Sequence, residues 1–121
     1  MEEHQKVNGK IIVYLTEKVN LTSWDGKKKE FIAKIDTGAT KSSIDINLAE
    51  RLKLGPVIRS KVVKSAHGNQ LRPIIEAEII LADKKIKAEF TLADRSHLRY
   101  QVLIGVNILK DGFLVNPSKK E

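Results

Sequence analysis

The stretch Ala33-Lys34-Ile35-Asp36-Thr37-Gly38-Ala39 sets one acid at the end of an apolar run and follows it with Thr, Gly and Ala. A carboxylate placed where a strand leaves the core can stand at the floor of a cleft. Thr37 brings a hydroxyl that can fix the turn, and Gly38, without a Cβ, lets another backbone or a substrate come close. The same residues can also make an ordinary Asx turn in which Asp36 bonds only nearby amides, so the motif alone leaves both readings open. To hydrolyse a peptide bond, such an acid needs a second one beside it. The ionised carboxylate activates water as a base, while the protonated one donates to the scissile carbonyl. Asp-Thr-Gly occurs once in the chain. The simplest source of a second acid is a two-fold symmetric homodimer in which each subunit brings Asp36 to the axis. Within one chain the rival is Asp94, which beside Arg95 reads as a structural ion pair or a turn.

Other chemistries have little to work with. The chain has no cysteine, which excludes a disulfide framework, a thiolate metal site and a cysteine nucleophile. A hydrolytic zinc needs about three protein ligands and an open position for water. His4, His67 and His97 lie far apart, and there is no His-Glu-x-x-His. No Gly-rich loop with Lys-Ser/Thr is present to cradle a nucleotide. No metal and no cofactor are therefore expected. The 22 Lys+Arg against 15 Asp+Glu give a net charge of +7, which would attract nucleic acid, a membrane surface or an acidic peptide, or would serve solubility alone. Nucleic-acid binding lacks support from interleaved aromatics, since Phe, Trp and Tyr make up 5% of the chain.

The elements that must position Asp36 read as mostly β. The length of 121 residues suits a single domain, 1–121, with its core over about 10–118. Apolar runs at 11–16 and 30–36 bracket Trp24-Asp25-Gly26, a hairpin signal, and are expected to form the first sheet layer. Asn47 with Glu50 three residues on, Leu48 and Leu52 at i, i+4, and then Gly55-Pro56 predict a short capped helix. Runs at 57–64 and 71–81 flank a small, polar tip to form a second hairpin, and 86–92 alternates as a half-buried strand. Val102-Leu103-Ile104 is an apolar run stopped by Gly105, followed by one helical turn over 106–110 and a last strand at 113–115. No run approaches the roughly 20 apolar residues of a membrane helix. The first residues, Met1-Glu2-Glu3-His4, do not read as a secretion signal, and the expected compartment is the cytoplasm.

The segments "AKIDTGATKSS", "VKSAHGNQLRPIIEAEIIL" and "LADRSHLRYQVLIGVNILKDGFLVNPS" fall in an order and spacing that resemble the retropepsin-like aspartic peptidases over roughly residues 31–118. The resemblance is closest to the branch found beside RimK-type ATP-grasp ligases and often labelled ATP-dependent zinc proteases. It implies a closed retropepsin-like (acid protease) β-barrel with one or two short helices. It also implies a homodimeric aspartic endopeptidase acting on a peptide or protein substrate through two copies of Asp36. On this reading Thr37 locks the two loops together, Gly38 permits their close approach, Ala39 continues the motif, and Ile104 and Gly105 support the loop from behind. Ser65, Ala66, His67, Gly68 and Asn69 become a flap that closes over the substrate, with His67 touching substrate or solvent. The ligase association suggests an acidic, glutamate-tailed substrate. Two positions depart from the family pattern: Val106 stands where Arg is expected and Asn116 where Asp is expected. A non-catalytic peptide-binding module on the same fold is the alternative, followed by a basic nucleic-acid binder.

Overall fold

The computed structural model of the protein describes residues 4–66 and 68–118. Its strands are β1 (Lys6–Val7), β2 (Lys10–Val13), β3 (Thr16–Thr22), β4 (Lys28–Ile35), β5 (Ser42–Asp45), β6 (Val57–Ser65), β7 (Gly68–Leu81), β8 (Lys84–Ala93), β9 (Val102–Ile104) and β10 (Phe113–Val115). Two short helices, α1 (Ile46–Leu52) and α2 (Val106–Leu109), follow β5 and β9.

Alternation of side chains explains the main layer. In β3, Glu17, Val19 and Leu21 point inward while Thr16 and Lys18 face solvent. In β7, Ile75, Ala77, Ile79 and Leu81 do the same. With Phe90, Val102 and Ile104 they fill one continuous core. Each fully buried aliphatic side chain there contributes about 1.5–3 kcal/mol relative to exposure. The sheet runs β3-β4-β9-β5-β8-β7 and closes on itself through β3–β7 pairing, with β6 as an added outer strand on β7. The result is a six-stranded closed barrel, the retropepsin-like architecture expected from the sequence. A separate sheet, β1-β2-β10, lies beside it.

The run at 11–16 is not one strand, contrary to expectation. Its first half is β2, which pairs with β1 and β10, and β4 takes β3 as its partner instead. The chain breaks at Tyr14 and Leu15 because the Tyr14 N–H donates to the Glu17 carboxylate at 2.8 Å, turning the backbone between the two strands. That carboxylate is buried and also meets His4 Nε2 at 2.7 Å. The helix cap differs as well. Asp45, not Asn47, caps α1, its carboxylate accepting from Leu48 N at 3.3 Å. Asp45 is buried, and its second oxygen accepts from Arg95 N at 2.8 Å, so the cap is fixed from the loop after β8 as well as from the helix. The helix then ends on Lys53 in the left-handed region at φ 51°, ahead of Gly55-Pro56.

Candidate functional site

Asp36 sits just beyond the end of β4, and the position of β9 determines how it is held. β9 lies between β4, to which it is parallel, and β5, to which it is antiparallel. The chain from β4 to β5 must therefore cross over the end of β9. This crossing loop carries Asp36, Thr37, Gly38 and Ala39. Its backbone is fastened at each step: Asp36 N donates to Ile104 O at 2.9 Å, Val106 N to Ala39 O at 2.8 Å, and Asn107 N to Thr40 O at 3.1 Å. The Asx turn weighed from the sequence also exists, with Gly38 N donating to Asp36 Oδ1 at 2.9 Å. One carboxylate oxygen thus holds the turn. Asp36 is half-buried, whereas Thr37 and Gly38 are exposed beside it.

Ile104 and Gly105 lie behind this loop. Gly105 is extended, with φ −104°, so its need for glycine is spatial rather than conformational. A Cβ there would lie 2.5 Å from Lys41 O and 2.7 Å from Ala39 O. The hairpin residues occupy a different element. Ser65 ends β6, Gly68 opens β7 with φ +105°, and Ala66 and Asn69 are exposed at the tip. His67 lies outside the described residues.

Ser42 and Asn107, which no local sequence signal marks, complete the brace. Ser42 is fully buried; its hydroxyl donates to Asn107 Oδ1 at 2.7 Å and accepts from Gly105 N at 2.9 Å. Asn107 Nδ2 in turn donates to Glu89 O at 3.0 Å. Ser42→Ala would strand the buried Gly105 amide and the half-buried Asn107 side-chain carbonyl, so a loss of about 1–3 kcal/mol in urea unfolding is expected. A change within experimental scatter of wild type would show that the brace does not depend on this hydroxyl.

Arg95 lies in the loop after β8. Partial burial pushes its guanidinium below the usual arginine range, opposed by the negative charges of Asp45 and Asp36. Its Nε donates to Tyr100 O at 3.0 Å. Of the two readings of Asp94, an ion pair with Arg95 or a turn, the structure has the turn. The Asp94 carboxylate accepts from Ser96 N at 3.0 Å and Ser96 Oγ at 2.6 Å, in a small exposed loop. The two expected departures from pattern are also placed. Val106 is partly exposed at the start of α2, and Asn116 accepts from Ser118 N at 2.9 Å.

Among the described residues the donors do not fit a zinc centre: no group of three His, Cys, Asp or Glu side chains converges as a ligand set. His4 is committed to Glu17, and His97 is exposed in the loop after β8. No described helix is long and apolar enough to cross a membrane.

Comparison with known proteins gives a family and a fold. Residues 46–121 match the family described as RimB-like, retropepsin-like aspartic endopeptidase RimB. The match begins after the acid loop and takes in the β6–β7 hairpin and Leu103-Ile104-Gly105. No curated protein matches the chain. Among solved structures, a protein of unknown function from Legionella pneumophila, Lpg0085, is 21% identical with a TM-score of 0.63, over 94% of this chain and 97% of that one. The protease of simian foamy virus (mac) is 17% identical with a TM-score of 0.61, over 78% and 91%. The EIAV protease complexed with the inhibitor HBY-793 is 23% identical with a TM-score of 0.57, over 79% and 85%. At these identities the shared property is the fold.

Proposed function

Because the chain belongs to the RimB-like family of retropepsin-like aspartic endopeptidases, we propose that it hydrolyses peptide bonds in the cytoplasm as a homodimer, through a water held between two copies of Asp36. The observation that carries this reading is the crossing loop itself: a half-buried carboxylate whose backbone is pinned to Ile104 and whose neighbours Thr37 and Gly38 stay exposed. Exposed small residues beside the acid suit the approach of a second loop related by a two-fold axis. Thr37 then bonds across the axis, and the partner's identical loop supplies the second acid. The β6–β7 hairpin, with its small tip, serves as the flap over the bound peptide.

The substrate proposed is acidic, of the kind a glutamate-adding ATP-grasp ligase would make. A net charge of +7 draws such a peptide in, while two ionised dyad acids would repel it unless they share a proton. Cleavage should therefore be salt-sensitive and favoured at mildly acidic pH. One observation favours the peptide-binding alternative: the family match does not reach the acid loop.

The test is cleavage of an unfolded protein and of peptides matched except for a glutamate tail, across a dilution series and a pH series, with and without a statine-type mimic. Expected are inhibition by the mimic and a steeper than linear fall in activity on dilution, because separated protomers lose the shared site. An active species that sediments as a monomer would overturn the dimer and direct attention to Asp94. Equal cutting with and without the tail would remove the acidic preference.

A further inference from the structure

Away from the acid loop, three elements of the site meet on one residue of β8. The Glu89 carboxylate accepts a two-pronged contact from Arg59, Nη1 to Oε2 at 3.1 Å and Nη2 to Oε1. Lys41 Nζ lies 3.8 Å from the same Oε1. The backbone oxygen of Glu89 receives the Asn107 side chain at 3.0 Å. Each partner has a definite place in the fold. Arg59 lies on β6 immediately after the register irregularity between Val57 and Arg59, where the hairpin settles into continuous pairing with β7. Lys41 lies between the acid loop and β5, and its backbone oxygen is one of the atoms pressed against Gly105. Asn107 belongs to α2.

We propose that Glu89 is a positioning residue whose side chain clasps the base of the β6–β7 hairpin to the segment that leaves the acid loop. Isolated surface ion pairs contribute little, but a planar, two-pronged arginine contact joined by a second cation is the arrangement in which geometry restrains motion. Among the described residues, edge strand β6 pairs with the barrel through β7 on one side alone. The Arg59 contact ties it also to β8, one strand further in. The hairpin base therefore moves with the acid loop rather than independently of it.

The clasp has a defined pH range. The charged groups around Glu89 are Arg59 from β6, Lys41 from the acid-loop side, and Glu76 directly opposite on β7, which is itself paired with Lys87 at 3.4 Å. Arg59 first, with a smaller contribution from Lys41, holds the Glu89 carboxyl below the usual glutamate range, against partial desolvation. A lowered value means that the contact is complete above the ordinary glutamate range and is lost only as pH falls through the lowered one. It therefore persists in the mild acid where a proton-sharing dyad works.

The catalytic consequence rests on the peptidase reading; the clasp itself does not, and hydrogen exchange reads it without substrate. In Glu89→Gln and in Arg59→Gln, the hydrogen-bonded amides over 60–64 should exchange about twofold to fivefold faster than in wild type, with β3 and β4 unchanged. High salt should reproduce this in wild type and have no further effect in Glu89→Gln. Protection should decline in wild type at pH below the lowered glutamate range, and show no such step in Glu89→Gln. With a cleavable peptide, KM should rise by a similar factor and kcat should change less. Unchanged exchange over 60–64 in Glu89→Gln would overturn the clasp even if the wild type cleaves. Faster exchange in a protein that cuts no peptide would keep the clasp and sink the peptidase.

Discussion

Asp36→Asn should fold as the wild type does and lose cleavage by at least about 10²- to 10⁴-fold, the range that a positioned acid or base supplies. Folding should survive because the structural duties of Asp36 do not need its charge. Its N–H still reaches Ile104 O, and an asparagine oxygen can accept from Gly38 N as Oδ1 does now. Catalysis should not survive, because an amide can neither take a proton from water nor share one with its symmetry mate. Both properties can be read on one preparation, by thermal unfolding and by peptide cleavage, with a chelator added to wild type as a control that should change nothing. Activity retained in Asp36→Asn, or lost in wild type on chelation alone, would end the aspartic mechanism. Peptide binding preserved in both proteins with cleavage in neither would favour the binding module.

Among the glycines, Gly105 is where an added methyl should do the most damage by crowding, and Gly105→Ala should be strongly destabilising. The added carbon would meet two main-chain carbonyl groups: that of Lys41, with its O at 2.5 Å and its C at 2.7 Å, and that of Ala39, with its O at 2.7 Å. Backbone cannot swing aside as the end of a side chain can. Either the loop after Asp36 or β9 must move, and each carries hydrogen bonds that fix the other. Overpacking of this kind costs about 1–3 kcal/mol and occasionally more; because the obstacles are backbone carbonyls, the upper end or beyond is expected. Cleavage should fall with it, since the displaced loop carries the acid. Gly68 is a useful contrast. It has a strained φ but nothing within 4 Å of a new Cβ, so a substitution there should affect turnover more than stability. A Gly105→Ala midpoint equal to that of wild type in urea would show that the crossing loop is far more yielding than its contacts imply.

Much of this site could be read from sequence because its signals are local. The turn at Asp25-Gly26, the alternation in β7 and β8, and Leu103-Ile104 running into Gly105 each express themselves within a few residues. What could not be read depends on pairing across long stretches of chain. Ser42-Ser43-Ile44-Asp45 is too short and too polar to announce a strand, and it becomes β5 only because β9 and β8 lie on either side of it. The Ser42–Asn107 contact joins two polar residues with nothing in their neighbourhoods to link them. Asn47 reads as the cap because its spacing to Glu50 is a local signal; Asp45 takes the role because the backbone N–H of Arg95, brought from the loop after β8, holds its carboxylate in place. Residues 11–16 read as one strand because the inward carboxylate of Glu17, which bends the chain there, looks from sequence like a surface charge.

The placement of β9 between β4 and β5 also bears on the order of events at the ribosome. Ala33 pairs with Val102 and Ile35 with Ile104, so the acid is translated early and its support late. Domains emerge amino end first, at about 5–20 residues per second, and contacts between distant segments form only after both have left the exit tunnel. A growing chain therefore displays Asp36 for seconds in a loop that nothing yet pins. The braced loop can form only after α2 has been made, so whatever chemistry Asp36 performs waits for the end of synthesis.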